Sequence, residues 1–120
     1  MNISRNDNFG YLYNGGKVTG TLSVSGGTPS LTNLPDQNSA SGEVTVADNG
    51  VGDFTITITN FRGTEAKSVA FATTTTADMT VRVVSKTYTN DSLAVNFIVR
   101  TADQTSAVDD SGFEFCIEAY

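Results

Sequence analysis

The sequence contains no histidine, no tryptophan and a single cysteine among its 120 residues. Without histidine the chain lacks both the most common general base and the most common transition-metal ligand, so neither a Ser-His-Asp nor a Cys-His catalytic arrangement can be assembled. The one cysteine, Cys116, cannot form a disulfide within the chain. Stability must therefore come from core packing or from neighbouring molecules.

Positive charge is also scarce. Seven lysines and arginines stand against thirteen acidic residues, which gives a net charge of −6 and an isoelectric point near 4.3. The basic residues are scattered, whereas a nucleic-acid surface needs them gathered on one face, and direct nucleic-acid binding is therefore excluded. The first residues lack the apolar segment of a secretion signal, and no run approaches the ~20 apolar residues of a membrane span. We expect a protein made in the cytoplasm with no membrane partner.

Apolar residues alternate with polar ones over most of the chain. Threonine and other β-branched residues are abundant, and they favour a pleated sheet over a helix. The period of two predicts seven strands, at residues 18–24, 44–46, 54–58, 69–71, 79–88, 93–99 and 113–120. Short connections imply antiparallel pairing. We predict an all-β protein with little or no helix, an antiparallel β-sandwich or jelly-roll-like fold of seven or eight strands, with residues 17–120 as one domain.

Two segments interrupt this pattern. Residues 26–42 are rich in turn-forming residues and contain only Leu31 and Leu34 as large apolar side chains, which predicts a long surface excursion. Asn49-Gly50 predicts the turn of a hairpin.

The N-terminal segment, residues 1–16, carries Phe9, Tyr11 and Tyr13 at a spacing of two. It has too little apolar mass to form a core, yet these aromatic side chains are costly to leave in water. Two interpretations stay open: a first, edge strand of the sheet, or an arm that orders only against a partner subunit.

The sequence offers few candidate catalytic residues. Cys116 lies on the same side of its strand as Glu114 and Glu118, and neighbouring carboxylates disfavour a thiolate. Glu114 together with Asp109 and Asp110 offers carboxylates for glycoside hydrolysis, but most acidic residues fall in predicted turns, where solvent keeps them ionised. We expect no enzymatic activity and no cofactor.

Two turns are candidates for calcium binding, one containing Asp48, Asn49 and Asp53 and one containing Asp109 and Asp110. Carboxylate and amide oxygens suit a hard cation, but the spacing matches no calcium-loop signature. Asp and Asn side chains that hydrogen-bond their own turn explain these residues more simply, and we expect no metal.

One strand face carries small polar side chains at Thr55, Thr57 and Thr59. Together with small residues at Ala70, Ala72 and Ala94, these threonines suggest a flat surface of low charge. Three interpretations stay open: these small residues pack inward as part of a second sheet, they form a plainly solvated face, or they form an interface with another subunit, which symmetry would then repeat.

Five segments share a recognisable pattern: residues 50–61, 68–73, 81–85, 93–101 and 110–115. They combine strand alternation, a Gly-rich turn before an aromatic-led strand and a closing Gly-Phe-x-Phe. In these features the chain resembles small structural β-sandwich proteins of tailed phages, in particular capsid decoration (cement) proteins and related modules of tail fibres.

The resemblance implies a non-catalytic protein of the virion that binds the outer capsid surface and stabilises contacts between capsomers. Its partners would be the major capsid protein and itself, as a homotrimer. In this interpretation Phe9, Tyr11 and Tyr13 are the arm anchors. The candidate interface face comprises Thr55, Thr57, Thr59, Leu31 and Leu34.

A receptor- or carbohydrate-binding module of a tail fibre or adhesin is the alternative. Such a module would present aromatic side chains on its loops, where the chain offers only Tyr88 and Tyr120. A secreted bacterial adhesin, a third class, would require a signal peptide.

Overall fold

The computed structural model describes residues 17–32, 34, 44–59, 61, 64–103, 105–107 and 112–119. This part of the chain contains eight strands and one short 3-10 turn, Glu65–Lys67. The strands are β1 (Lys17–Ser25), β2 (Thr28–Thr32), β3 (Val44–Gly50), β4 (Asp53–Ile58), β5 (Ser68–Thr74), β6 (Met79–Thr89), β7 (Ser92–Thr101) and β8 (Phe113–Ala119).

The strands form two antiparallel sheets of four. Sheet A has the order β2-β1-β8-β5, and sheet B has the order β3-β4-β7-β6. Their inner faces share one core. The prediction of an all-β antiparallel sandwich is thus confirmed.

The core consists of alternate residues from both sheets, as the period of two requires. Four aromatic rings occupy its centre, and the rings of Phe97 in sheet B and Phe113 in sheet A lie 5.0 Å apart between centroids. Each buried phenylalanine contributes roughly 1.5–3 kcal/mol from apolar burial. The fully or almost fully buried apolar side chains are Val18, Leu22, Phe54, Ile56, Ile58, Phe61, Leu93, Val95, Phe97, Val99, Phe113, Phe115 and Ile117.

The predicted surface excursion at residues 26–42 is wrong in its first part. Thr28–Thr32 forms β2, which pairs with β1 through a tight hairpin. Gly26 and Gly27 make the turn with φ of 57° and 81°, the left-handed conformation of a type I′ turn. Pro29 obscured the strand in the sequence, but β2 lies at the edge of sheet A, where proline is tolerated.

The hairpin of β3 and β4 turns two residues later than Asn49-Gly50 predicted. Gly50 still pairs with Asp53, so the turn residues are Val51 and Gly52, and the register shifts between Asp48 and Gly50. Gly52 adopts a φ of 67°, which a residue with a side chain rarely adopts.

A bulge interrupts β6. The register with β7 shifts between Val83 and Ser85, so Val84 has no partner of its own. Because a bulge adds one residue, it exchanges inward and outward positions beyond it. Lys86 and Tyr88 consequently pair with the buried Val95 and Leu93, and both are half-buried.

Candidate functional site

Strand β5 presents its large side chains to solvent. Val69 is 43% exposed and Phe71 is 55% exposed, whereas Ala70 and Ala72 lie half-buried against the core. Of the interpretations that the sequence left open for these alanines, small inward packing is the one that the structure supports.

The register with β8 explains this inversion. Ala70 lies opposite Ile117 and Ala72 lies opposite Phe115, both of which already fill the inner face of sheet A. Only small side chains fit beside them, because protein cores are close-packed. Phe71 is therefore directed outward, opposite Cys116.

A third exposed apolar residue comes from the neighbouring edge of sheet B. β5 and β6 are in contact at one side of the sandwich, and the bulge of β6 leaves Val84 47% exposed. Of the four large apolar side chains that are exposed in the described part of the chain, three therefore lie on these two strands. We call Val69, Phe71 and Val84 the apolar side; the fourth residue, Val51, lies on the β3–β4 turn.

The two ends of β5 are tied to β6 by side-chain hydrogen bonds. Lys86 Nζ donates to the backbone carbonyl of Ser68. At the other end, Thr74 Oγ1 donates to the carbonyl of Met79 at 3.2 Å and lies 3.1 Å from that of Thr76. These bonds fix both ends of the edge and leave the segment around Phe71 between them.

The outer face of sheet A beside Phe71 is shallow. One hollow lies between β5 and β8, lined among others by Phe71, Glu114 and Cys116. A second, on the other side of β8, is lined by Thr19, Thr21 and Glu114 among others. A small ligand is usually enclosed by its binding site, so such open depressions are better suited to contact with another protein.

Cys116 is half-buried on this face. Burial is the main cause that raises the pKa of its thiol, and the charge of Glu118 adds to it while Lys17 opposes it. The carboxylate effect expected from the sequence is present, but burial is larger. The thiol is therefore protonated near neutral pH.

The threonine face lies on the outer side of sheet B. Thr55, Thr57 and Thr59 are half-buried, and Ala94 pairs with Thr57 on the adjacent strand. This face is thus on the opposite side of the molecule from the outer face of sheet A.

Two asparagine side chains form hydrogen bonds with other residues of this face. Asn49 Nδ2 donates to Thr55 Oγ1 at 2.7 Å, and Asn96 Nδ2 donates to Asp53 Oδ1 at 2.7 Å. Asp48 Oδ1 accepts the amide of Gly50 at 3.0 Å. Asp48 thus bonds the backbone of its own turn, whereas Asp53 accepts from Asn96 on the adjacent strand β7. In the described part of the chain, no group of three or more His, Cys, Asp or Glu side chains could hold a metal ion.

Leu31 and Leu34 do not share a face with the threonines. Both are half-buried against the core of the same chain, and Leu34 Cδ2 comes within 2.7 Å of where a Cβ would stand on Gly20. The leucines thus pack on the core of their own chain and the threonines lie on the outer side of sheet B. Whether any of these residues forms an interface with another subunit stays a prediction.

Tyr88 is held by its hydroxyl. It donates to the carbonyl of Phe61 at 3.2 Å and lies 3.3 Å from Asp91 Oδ1. Burial and then the charge of Asp91 raise the pKa of this phenol. Its ring is half-buried, so only part of it is accessible for stacking on a sugar.

Other candidates lie outside the described residues: Phe9, Tyr11, Tyr13, Asp109, Asp110 and Tyr120. Glu114 is described and is exposed on the outer face of sheet A. None of the helical structure in the described residues is long and apolar enough to cross a membrane.

Comparison of the chain with protein-family models, with curated proteins and with solved structures gave no match. The sequence signal that could have located the apolar side is the pair of small residues Ala70 and Ala72. Small side chains are needed on the face of β5 that packs beside bulky residues. This signal can be interpreted only when the neighbouring residues, Phe115 and Ile117 on β8, are known.

Proposed function

We propose that this chain is a non-catalytic capsid decoration protein, which binds the outer surface of a phage capsid and stabilises contacts between capsomers. The observation that carries the proposal is the apolar side, where Val69, Phe71 and Val84 are exposed on two edge strands that contact each other. Exposed apolar groups that lie close together mark surfaces for protein contact, and Val69 and Phe71 lie two residues apart on the same face of β5.

The hydrogen bonds on the outer face of sheet B support the same assignment. The outer face of sheet B is cross-linked by Asn49 and Asn96, so it needs no partner to satisfy these polar groups. A sandwich of this kind offers flat, preformed faces that a protein lattice can contact without reordering the chain.

Binding to a lattice would also stabilise the fold. A partner that binds only the folded state raises apparent stability by RT ln(1 + [L]/Kd), about 2.7 kcal/mol at a partner concentration one hundred times Kd. In this proposal the arm anchors Phe9, Tyr11 and Tyr13 contact the major capsid protein or a neighbouring copy, because buried aromatic side chains carry much of an interface's energy. The oligomer is a homotrimer, and the protein resides on the outside of the virion.

The test is co-sedimentation of the purified protein with empty shells of the major capsid protein from the same genome. Three forms are compared: the full chain, a chain lacking residues 1–16 and a chain with Phe9→Ser, Tyr11→Ser and Tyr13→Ser. Val51→Ser is the matched control, since it removes an exposed apolar side chain from the β3–β4 turn.

We expect the full chain and Val51→Ser to sediment with shells and both arm variants to lose at least ten-fold in affinity. Light scattering on the same samples gives the molar mass, expected to be that of a trimer. A full chain that stays in the supernatant at saturating shell concentration refutes the proposal. If this unbound full chain is a monomer and binds glycans, the result would favour the receptor-binding alternative.

A further inference from the structure

The backbone hydrogen bonds of β5 point in two directions. The Thr75 amide donates to the carbonyl of Gly112 at 3.1 Å, next to the pair Thr74 and Phe113. In an antiparallel ladder this bond fixes the alternation: every second residue of β5 bonds to β8, and the residues between direct their amide and carbonyl groups away from it.

The outward-directed backbone groups in the middle of β5 are those of Ala70 and Ala72. The carbonyl of Ser68 belongs to the same set, and it accepts from Lys86, as the alternation requires. At the other end, the side chain of Thr74 bonds to Met79. Among the described residues, Ala70 and Ala72 therefore form an open segment of edge between two tied ends. Native proteins usually blunt such edges.

We propose that this open segment pairs with the same segment of a second copy, antiparallel and centred on Phe71. In this register Ala70 of one copy lies opposite Ala72 of the other, and each pair exchanges two backbone hydrogen bonds. Phe71 lies opposite Phe71 of the second copy on the outer face. Val69 lies opposite Thr73 of the second copy.

The charge distribution favours a second copy as the occupant. β5 carries no charged side chain, although the chain has a net charge of −6. The nearest acidic residues on the outer face, Glu114 and Glu118, lie one strand back on β8. The two β8 strands would be three strand spacings apart, about 14 Å, which exceeds the screening length of about 8 Å at physiological salt. Two copies can thus meet at β5 without bringing their acidic groups together.

The proposed contact is small. One edge with two large apolar side chains buries less than the ~1,200 Å² of a standard interface, so the pair dissociates readily in dilute solution. High local concentration, as on a lattice, would compensate. The inference rests on the proposed function in that it assigns a partner to the apolar side, and it adds a two-fold contact to the expected three-fold association.

Cysteine cross-linking tests the register directly. In a Cys116→Ser background, which removes the thiol opposite Phe71, Phe71→Cys places two thiols at directly opposed positions, where Cβ atoms lie about 4.5–5.5 Å apart. Under mild oxidation of a concentrated protein solution, we expect this variant to form a covalent dimer at least ten times faster than Val51→Cys. Val51 is the control because its side chain is as exposed, at 59%, but lies on the β3–β4 turn.

A second pair of variants keeps the test independent of Phe71. Val69→Cys and Thr73→Cys, again with Cys116→Ser, should each dimerise slowly alone and rapidly when mixed, because the proposed register brings one against the other. Equal rates for Phe71→Cys and Val51→Cys, or a mixture no faster than its components, would overturn the inference. Shell binding is measured separately, so loss of capsid binding with cross-linking retained refutes the proposed function alone.

Discussion

Replacing Gly112 by alanine should destabilise the sandwich by steric overlap alone. A Cβ on Gly112 would stand 2.3 Å from the backbone oxygen of Leu22, about 1 Å closer than ordinary contact. The φ of Gly112 lies outside the left-handed region, so no conformational penalty is involved. Gly112 leads into β8, the strand that pairs with both β1 and β5, and a backbone oxygen within a ladder cannot rotate away as a side chain can.

Overpacking of this kind costs typically 1–3 kcal/mol, which for a domain of about 100 residues corresponds to roughly 4–12 °C in Tm. The measurement is urea unfolding followed by fluorescence or circular dichroism, with the slope m checked for constancy. The matched control is Gly26, which has a φ of 57° and no atom within 4 Å of the position that a Cβ would take. Gly26→Ala should cost about 1 kcal/mol from the left-handed conformation.

Asparagine separates the two mechanisms, because it tolerates the left-handed region. Gly26→Asn should recover part of the stability lost in Gly26→Ala, whereas Gly112→Asn should be no better than Gly112→Ala. A Gly112→Ala protein whose free energy of unfolding equals that of the parent would refute the steric argument.

Two further predictions concern polar groups. Asp103 accepts hydrogen bonds from the hydroxyl groups of Thr101 and Thr105 at 2.6 and 2.7 Å, and the Thr101 bond is the largest cause that lowers the Asp103 pKa to about 2. A lowered pKa stabilises the fold above the unfolded value of 3.8 and loses this effect as the pH falls toward 2, so Asp103→Ala should be less stable than the parent at neutral pH and converge with it near pH 2 in unfolding curves. Tyr88→Phe removes the donor to the carbonyl of Phe61 and should lower the urea midpoint of unfolding; an unchanged midpoint would show that the hydroxyl does not hold this loop.

The sequence predicted strands wherever large apolar residues alternate with polar ones, and most of these strands are present. Phe54, Ile56 and Ile58 are all buried, because alternation on a central strand leaves only one face for the core. β2 was not predicted, because Leu31 is its only large apolar side chain. The Gly26-Gly27 turn, which identifies the hairpin, was nevertheless present in the sequence.

The orientation of β5 could not be derived from the sequence. By hydrophobicity alone, Val69 and Phe71 belong inside and Ala70 and Ala72 outside, and only the bulky neighbours on β8 reverse this. Those neighbours come from a strand far along the chain, and local periodicity contains no information on which strands will pair. The candidate interaction surface depends on this pairing, which is why the sequence pointed to the threonine face instead.

The position of β8 has a consequence for how the protein is made. β8 is synthesised after the other seven described strands, yet it lies in the middle of sheet A, between β1 and β5. Sheet B, by contrast, draws all its strands from residues 44–101 and can assemble while the chain is still being elongated. Until β8 arrives, the β1–β2 hairpin and β5 are two separate pieces with unpaired edges, a state prone to association with other chains. Sheet A is therefore completed by the insertion of a central strand, and the nascent protein depends on that one late segment to close both open edges at once.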